Sequence, residues 1–281
     1  MEKTAEKLKG FLMFRDEKKV DDIRNELLFT PLSSPLQFPH AEKILKATKH
    51  DILAPACTDS LGNPLATEYY AFNGAKFVEE VKKEEYLLFM LYCFEYRNLV
   101  LEQMSHNKEK ENLRRIKERA LPRREGETET ELDEEETYGV ILRINIIRDF
   151  SGLSMSNFLR TQTIMTWVLE LASNNYPETL ERSFIVNAPW FFNTIWLVLS
   201  SVLEQRTVDK MKNMGSTFLK DLERDYGIAA SAVPQALGGA YTASNVTVTR
   251  PITHEIPDMA QLPSGGPCPQ HEDAGLARAG P

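Results

Sequence analysis

Tyr138–Phe150 reads YGVILRINIIRDF, and two rows of side chains alternate along it. Val140, Leu142, Ile144 and Ile146 fall on one row; Ile141, Arg143, Asn145 and Ile147 fall on the other. Successive side chains of a strand point to opposite faces, so near-continuous apolar rows predict a strand in a sheet covered on both sides. Working outward, Ser151-Gly-Leu-Ser154 predicts a turn with Ser154 as N-cap. SNFLRTQTIMTWVLELAS then predicts a helix with Phe158, Met165, Val168, Leu169 and Ala172 on one side. Tyr176-Pro-Glu178 marks the next turn and Phe184–Val186 the next strand. Strand–helix–strand at this length is a βαβ crossover, so a parallel pair and an α/β fold are expected.

Phe184–Leu203, FIVNAPWFFNTIWLVLSSVL, carries no charge and has roughly the length of a membrane span. Asn187-Ala-Pro189 divides it, which predicts a short buried strand, a turn, and a helix starting behind the proline. Along that helix Asn193, Thr194, Ser200 and Ser201 form a thin polar stripe, and the rest is apolar. Such a helix needs cover on more than one side.

The N-terminal part reads as short helices, EKLKGFLMF, VDDIRNELLF and AEKILKATK, interrupted by Pro31, Pro35 and Pro39. Thr58–Pro64 is turn chemistry, ATEYYAF a strand, and Glu84–Gln103 a long helix. Residues 107–136 change character: a basic run, KEKENLRRIKER, precedes EGETETELDEEE with eight acids in twelve residues. Solvated helix or disorder is expected there. Beyond about Pro251 the chain is rich in Pro, Gly and Ala, and a disordered tail is expected.

The 281-residue chain is long enough for a sizeable core, and its formal charge of −8 argues against a nucleic-acid partner. Three scattered cysteines, Cys57, Cys93 and Cys268, form neither a disulfide framework nor a zinc cluster, and suit reduced thiols. The charged N-terminus shows no signal-peptide pattern. Glycine-rich phosphate loops, a nucleophile elbow, H-E-x-x-H and histidines at ligand spacing are all missing. No catalytic residue, metal or cofactor is therefore expected. In EQRTVDKMKN, Thr207 stands where an N-cap belongs and Lys210 follows three residues later. Amides and dipole at a helix start attract an anion, which this lysine would reinforce. The residues alone favour an ordinary cap with a lysine extended to water.

Four segments in order, IIRDFSGLS, NNYPETLERSFIVNAPWFF, LEQRTVDKMKNMG and VPQALGG, resemble the CRAL-TRIO lipid-binding family of the phosphatidylinositol/phosphatidylcholine transfer type. The similarity runs from about Tyr138 to Gly239; FLMFRDEKKVDDI and TDSLGNP extend it faintly upstream. It implies a mixed, largely parallel sheet flooring an apolar cavity, in a lipid-binding domain at 51–250; the charged insert at 107–136 and the abbreviated helical region at 1–50 depart from the family's pattern. The tail would occupy 251–281. It further implies a cavity strand presenting Leu142, Ile144 and Ile146, and a gate helix with Trp190, Phe191, Phe192 and Trp196 exchanging lipid at membranes. A gate helix buried wholly in the core stays open as the alternative.

By the same resemblance, Glu178 matches a carboxylate that accepts bonds from inositol hydroxyls, and Thr207 and Lys210 match the phosphate-binding pair. Arg15, in FLMFR, matches an arginine of the N-terminal motif. Ile144 stands where the family's phosphatidylcholine site uses a hydroxyl, which puts that lipid in doubt. Asp149 and Gly152 recur in the strand-end motif and read as turn-forming. The resemblance thus implies a soluble, cytoplasmic carrier, transiently membrane-associated, with phosphatidylinositol as favoured cargo. The alternatives are an interaction scaffold that has lost transfer and a carrier of another hydrophobic small molecule.

Overall fold

The apolar rows around Ile144 form the middle strand of a five-stranded sheet ordered β1-β2-β3-β4-β5. A computed structural model describes residues 2–29, 37–48, 52–70, 74–119 and 139–242. The tail expected at 251–281 and the acidic half of the charged insert lie outside these residues. β1 (Ile52–Thr58) and β2 (Pro64–Tyr69) pair antiparallel; β3 (Ile144–Asp149), β4 (Leu180–Val186) and β5 (Met211–Asn213) follow in parallel. The expected mixed, largely parallel α/β sheet is therefore present. β1 went unread in the sequence because Pro55 interrupts it. A sheet-edge strand tolerates proline, and the register of β1 shifts between Ala54 and Thr58.

The N-terminal helices are α1 (Glu2–Glu17), α2 (Val20–Phe29) and α3 (Ala41–Ala47), with α4 (Gly74–Glu80) following β2. α5 spans Lys83–Arg119, so the basic half of the charged insert continues this helix. α6 (Met155–Asn175) crosses between β3 and β4, and the Ser154 hydroxyl accepts the Asn157 N–H at 3.2 Å, as the N-cap expectation requires.

The strand expected over Tyr138–Phe150 is shorter than its apolar pattern. Leu142 N–H donates to Ser105 Oγ and Arg143 N–H to Asn63 Oδ1, each at 2.9 Å. Side chains of α5 and the β1–β2 turn thus capture the amides that a longer strand would use.

A larger departure follows β4. One helix was expected from Thr207 onward, capped by that residue. Instead α7 (Phe192–Ser200) leads to a five-residue α8 (Gln205–Asp209), then β5, then α9 (Phe218–Tyr226). Thr207 lies inside α8, and Lys210 is its C-cap residue. The continuous helix is broken because Met211–Asn213 pairs with Ser183–Ile185 at the sheet edge. A lysine at a helix C-terminus is favourable by itself, so the helix-start argument for an anion fails.

The two faces of the sheet pack differently. Leu65, Ile147, Phe184 and Val186 pack against Phe218, Leu222, Ile228 and Val233 of α9 and the chain beyond it. On the other face, Ala66, Ile144 and Ile146 meet α2, α3 and α5, while Ile185 meets α6 and α7. Burying these side chains stabilises by roughly 1.5–3 kcal/mol each. This second face is not filled throughout.

Candidate functional site

Between that face and α3, α5, α6 and α7 lies a cavity of about 280 Å³. Ile144 and Ile146 floor it, Ile164, Met165 and Val168 of α6 wall it, and Trp196 and Leu199 border it from α7. Leu142 does not share this position; it is buried against α5 just before β3 begins.

Charged residues gather where the α6–β4 turn meets α8. Glu178 holds a left-handed backbone (φ 59°) in that turn. Arg206 Nη1 donates to its Oε1 at 2.8 Å, while Lys210 Nζ and Arg143 Nη2 stand 3.6 and 3.8 Å from its Oε2. Lys210 also donates to Leu180 O at 2.7 Å, which fixes the ammonium over the first residue of β4. Glu178, Arg206, Thr207 and Lys210 all border the cavity. α1 reaches the same cluster, because Lys7 pairs with Glu204, which also accepts from Arg206 Nε at 3.1 Å. The Lys7 bond, with Arg206 adding to it and burial opposing, holds the Glu204 carboxyl below its ordinary range.

Of the four headgroup candidates, the structure brings Glu178, Thr207 and Lys210 together and places Arg15 elsewhere. Arg15 lies eight residues beyond Lys7, about 12 Å further along α1. Its Nε donates to Asp21 at 2.9 Å and its Nη1 to the fully buried Glu95 at 3.2 Å. Arg24 of α2 reaches the other Glu95 oxygen at 3.4 Å. Glu95 therefore ties α1 and α2 onto α5. Tyr176 stands beside this group, and burial first, then the Glu95 charge, pushes its phenol up.

Sequence reasoning missed Arg206, although it sits four residues before Lys210. That spacing puts two cations on one helical face. It also missed three cavity-lining charges, Glu68, Arg97 and Arg148. Arg148 was legible in principle, since it continues the alternation of Ile144 and Ile146. Arg97 and Glu68 meet it only through tertiary packing.

The gate candidates divide. Trp190 is 91% exposed and Leu197 71%, whereas Phe191 and Phe192 are buried. Trp196 stacks on Phe192 with ring centroids 6.2 Å apart. The predicted polar stripe faces outward at Asn193, Thr194 and Ser201 around Leu197. Before α7, Asn187 takes a left-handed conformation (φ 53°), and its amide donates to Asp149 Oδ1 at 2.9 Å. Asp149 also accepts from Ser151 N at 2.9 Å and Ser151 Oγ at 2.7 Å, so it holds the turn as expected. Gly152 (φ 76°) completes that turn. Among the described residues no helix is long and apolar enough to cross a membrane, and no three candidate ligands are grouped to hold a metal ion.

Residues 73–239 match the family model of the CRAL/TRIO domain, and the chain belongs to that family. Over 100 residues it is 39% identical to the phosphatidylinositol/phosphatidylcholine transfer protein SFH11 of Arabidopsis thaliana, covering 35% of this chain and 26% of that one. Over 93 residues it is 30% identical to the SEC14 cytosolic factor of Kluyveromyces lactis, covering 33% and 30% respectively. The matched region thus spans about a quarter to a third of these relatives. The crystal structure of Sfh5 superposes with a TM-score of 0.54 at 15% identity, over 89% of this chain and 74% of that one, and supports the fold.

Proposed function

We propose that this protein binds phospholipid and transfers it between membranes, with phosphatidylinositol as its favoured cargo. The observation that carries the reading is the position of Glu178, Thr207 and Lys210 at the rim of an apolar cavity. Acyl chains lie in the cavity, where each buried CH₂ contributes roughly 0.8 kcal/mol. The inositol phosphate stays at the rim. Lys210 and Thr207 hold the phosphate, and Glu178 accepts from the ring hydroxyls. Arg206 sits where it can join Lys210 at the phosphate. Arg15 supports the same site indirectly, by locking α1 through Glu95 so that Lys7 can reach Glu204.

In this reading α7 is the gate. Trp196 and Leu199 border the cavity from this helix, and Trp190 and Leu197 enter the interfacial zone of a membrane during exchange. The relatives named for phosphatidylinositol/phosphatidylcholine transfer support the lipid class. Ile144 at the cavity floor supports phosphatidylinositol over phosphatidylcholine, because an alkyl side chain cannot donate to a phosphate.

Transfer of radiolabelled phosphatidylinositol between donor and acceptor vesicles tests this. Wild-type protein is expected to transfer it, and Lys210→Ala to lose most of that transfer. Purified protein that carries no lipid and transfers none would favour an interaction scaffold.

A further inference from the structure

The two ends of α7 are held by different means. At its start Phe191 and Phe192 are buried, and the Asn187 amide donates to the buried Asp149 carboxylate at 2.9 Å. Past its last turn, no residue from Ser200 to Asp209 is buried. The Leu203 N–H reaches Ser200 O only at 3.4 Å. Polar contact with other elements is made there through ion pairs. Lys7 of α1 pairs with Glu204, Arg206 Nε donates to Glu204 at 3.1 Å, and Arg206 Nη1 donates to Glu178 at 2.8 Å. Four side chains thus join α1, the exit of α7, α8 and the α6–β4 turn. All stand well in solvent: Lys7 is 56% exposed, Arg206 57%, Glu178 49% and Glu204 39%.

Exposed ion pairs are weak, since water competes for both partners and salt screens them. A negative surface acts on them twice. It attracts Lys7 and Arg206, and it repels Glu204 and Glu178. The pairs are also placed to meet such a surface. α7 is nine residues, roughly 13 Å, so its exit lies close to Leu197 when that residue touches a membrane. On the α1 side, Leu8 follows Lys7 and Leu12 lies one turn further, and both are exposed. Leucines beside a lysine suit an anionic membrane interface, where the alkyl groups enter and the ammonium meets phosphate.

We propose that Lys7, Glu204, Arg206 and Glu178 form a strap that keeps the C-terminal end of α7 closed, and that anionic membrane lipid releases it. The proposal rests on α7 acting as the gate of a lipid carrier. Lipid phosphates take Lys7 and Arg206, the two carboxylates lose their partners, and the exit of α7 swings outward. Asn187 and Asp149 keep its start in place, so the gate opens from its C-terminal end. Lys210 stays bonded to Leu180 O on β4, so release of the strap leaves that headgroup contact standing. Cargo is thus kept in solution and let go fastest at a negative membrane.

The test is the rate at which full-length protein loaded with phosphatidylinositol releases it into vesicles. The vesicles are phosphatidylcholine alone or an equal mixture with phosphatidylglycerol. Wild-type protein is expected to release about threefold faster or more into the mixture, the scale of one exposed ion pair. Glu204→Gln should release fast into both, with one phosphatidylinositol per chain still loaded, and Lys7→Gln should follow it. On neutral vesicles, added salt should speed the wild type and leave Glu204→Gln unchanged. Glu42→Gln breaks an exposed pair with Lys46 on α3, far from the strap in sequence, and should behave as wild type. Loaded Glu204→Gln that releases into neutral vesicles at the wild-type rate overturns the strap. So does a wild type that releases no faster into the mixture, or a Glu204→Gln that keeps the full wild-type preference for it. Each of these leaves the carrier reading intact, whereas protein that loads no lipid at all contradicts that reading and the strap with it.

Discussion

The Lys210 ammonium stands 3.6 Å from the Glu178 carboxylate and donates at 2.7 Å to Leu180 O. One side chain thus joins α8 to the turn that starts β4, at the rim of the cavity. Its charge is held in place before any ligand arrives, which lowers the ordering cost of binding.

Lys210→Ala should therefore weaken phosphatidylinositol binding about tenfold or more, the usual weight of a hydrogen bond to a charged group. Stability should hardly change, because the ammonium is partly open to solvent. Lipid loading measured by mass spectrometry, beside a thermal melt, separates the two effects.

Glu95 has no exposed side-chain surface and faces both Arg15 and Arg24. Replacing it with alanine leaves two guanidiniums without their shared partner and should cost about 3 kcal/mol. A denaturant midpoint lowered to match is the expected result. An unchanged midpoint would mean that α1 and α2 are not anchored through this carboxylate.

Glu68 gives a pH dependence of definite sign. Its folded carboxyl lies at about 2, below the ordinary 4.5. The stabilisation is fully present above pH 4.5 and is lost as pH falls towards 2. The stability gap between wild type and Glu68→Gln should therefore shrink steadily between those values. A constant gap would contradict the pairing with Arg97 and Arg148.

Trp190 is 91% exposed, so Trp190→Ala should leave folding stability within about 0.5 kcal/mol. Cosedimentation with liposomes should fall several-fold. Full retention of membrane binding by the variant would remove α7 and its approach from the contact surface.

Gly239 tests the C-terminal packing. A Cβ there would collide with the Val233 carbonyl oxygen, while the Gly239 N–H is bonded to Pro234 O at 3.2 Å. Gly239→Ala should lower the melting temperature by several degrees, since neither backbone segment can yield cheaply. A variant that melts with the wild type would show that this chain end is loosely held.

The crossover from Ile144 through α6 to Val186 was legible because period-two and helical patterns both point to it. Tyr176-Pro-Glu178 and Ser154 fixed its ends. The break after Asp209 was not legible, because three residues of β5 owe their conformation to pairing with β4 rather than to local preference. Glu178 and Lys210 were found through family motifs. Lys7 and Arg206 were not, since their convergence on Glu204 joins distant parts of the chain. The cavity arginines were hidden for a related reason. Arg97 sits in the long helix α5, and nothing in its neighbourhood reveals that β2 brings Glu68 against it.

The most direct measurement is native mass spectrometry of the purified protein after exposure to mixed phospholipid vesicles. One phosphatidylinositol per chain, released on denaturation and much reduced in Lys210→Ala, is the predicted result. Protein that stays empty in vesicles containing phosphatidylinositol, or loads every phospholipid without preference, would contradict it.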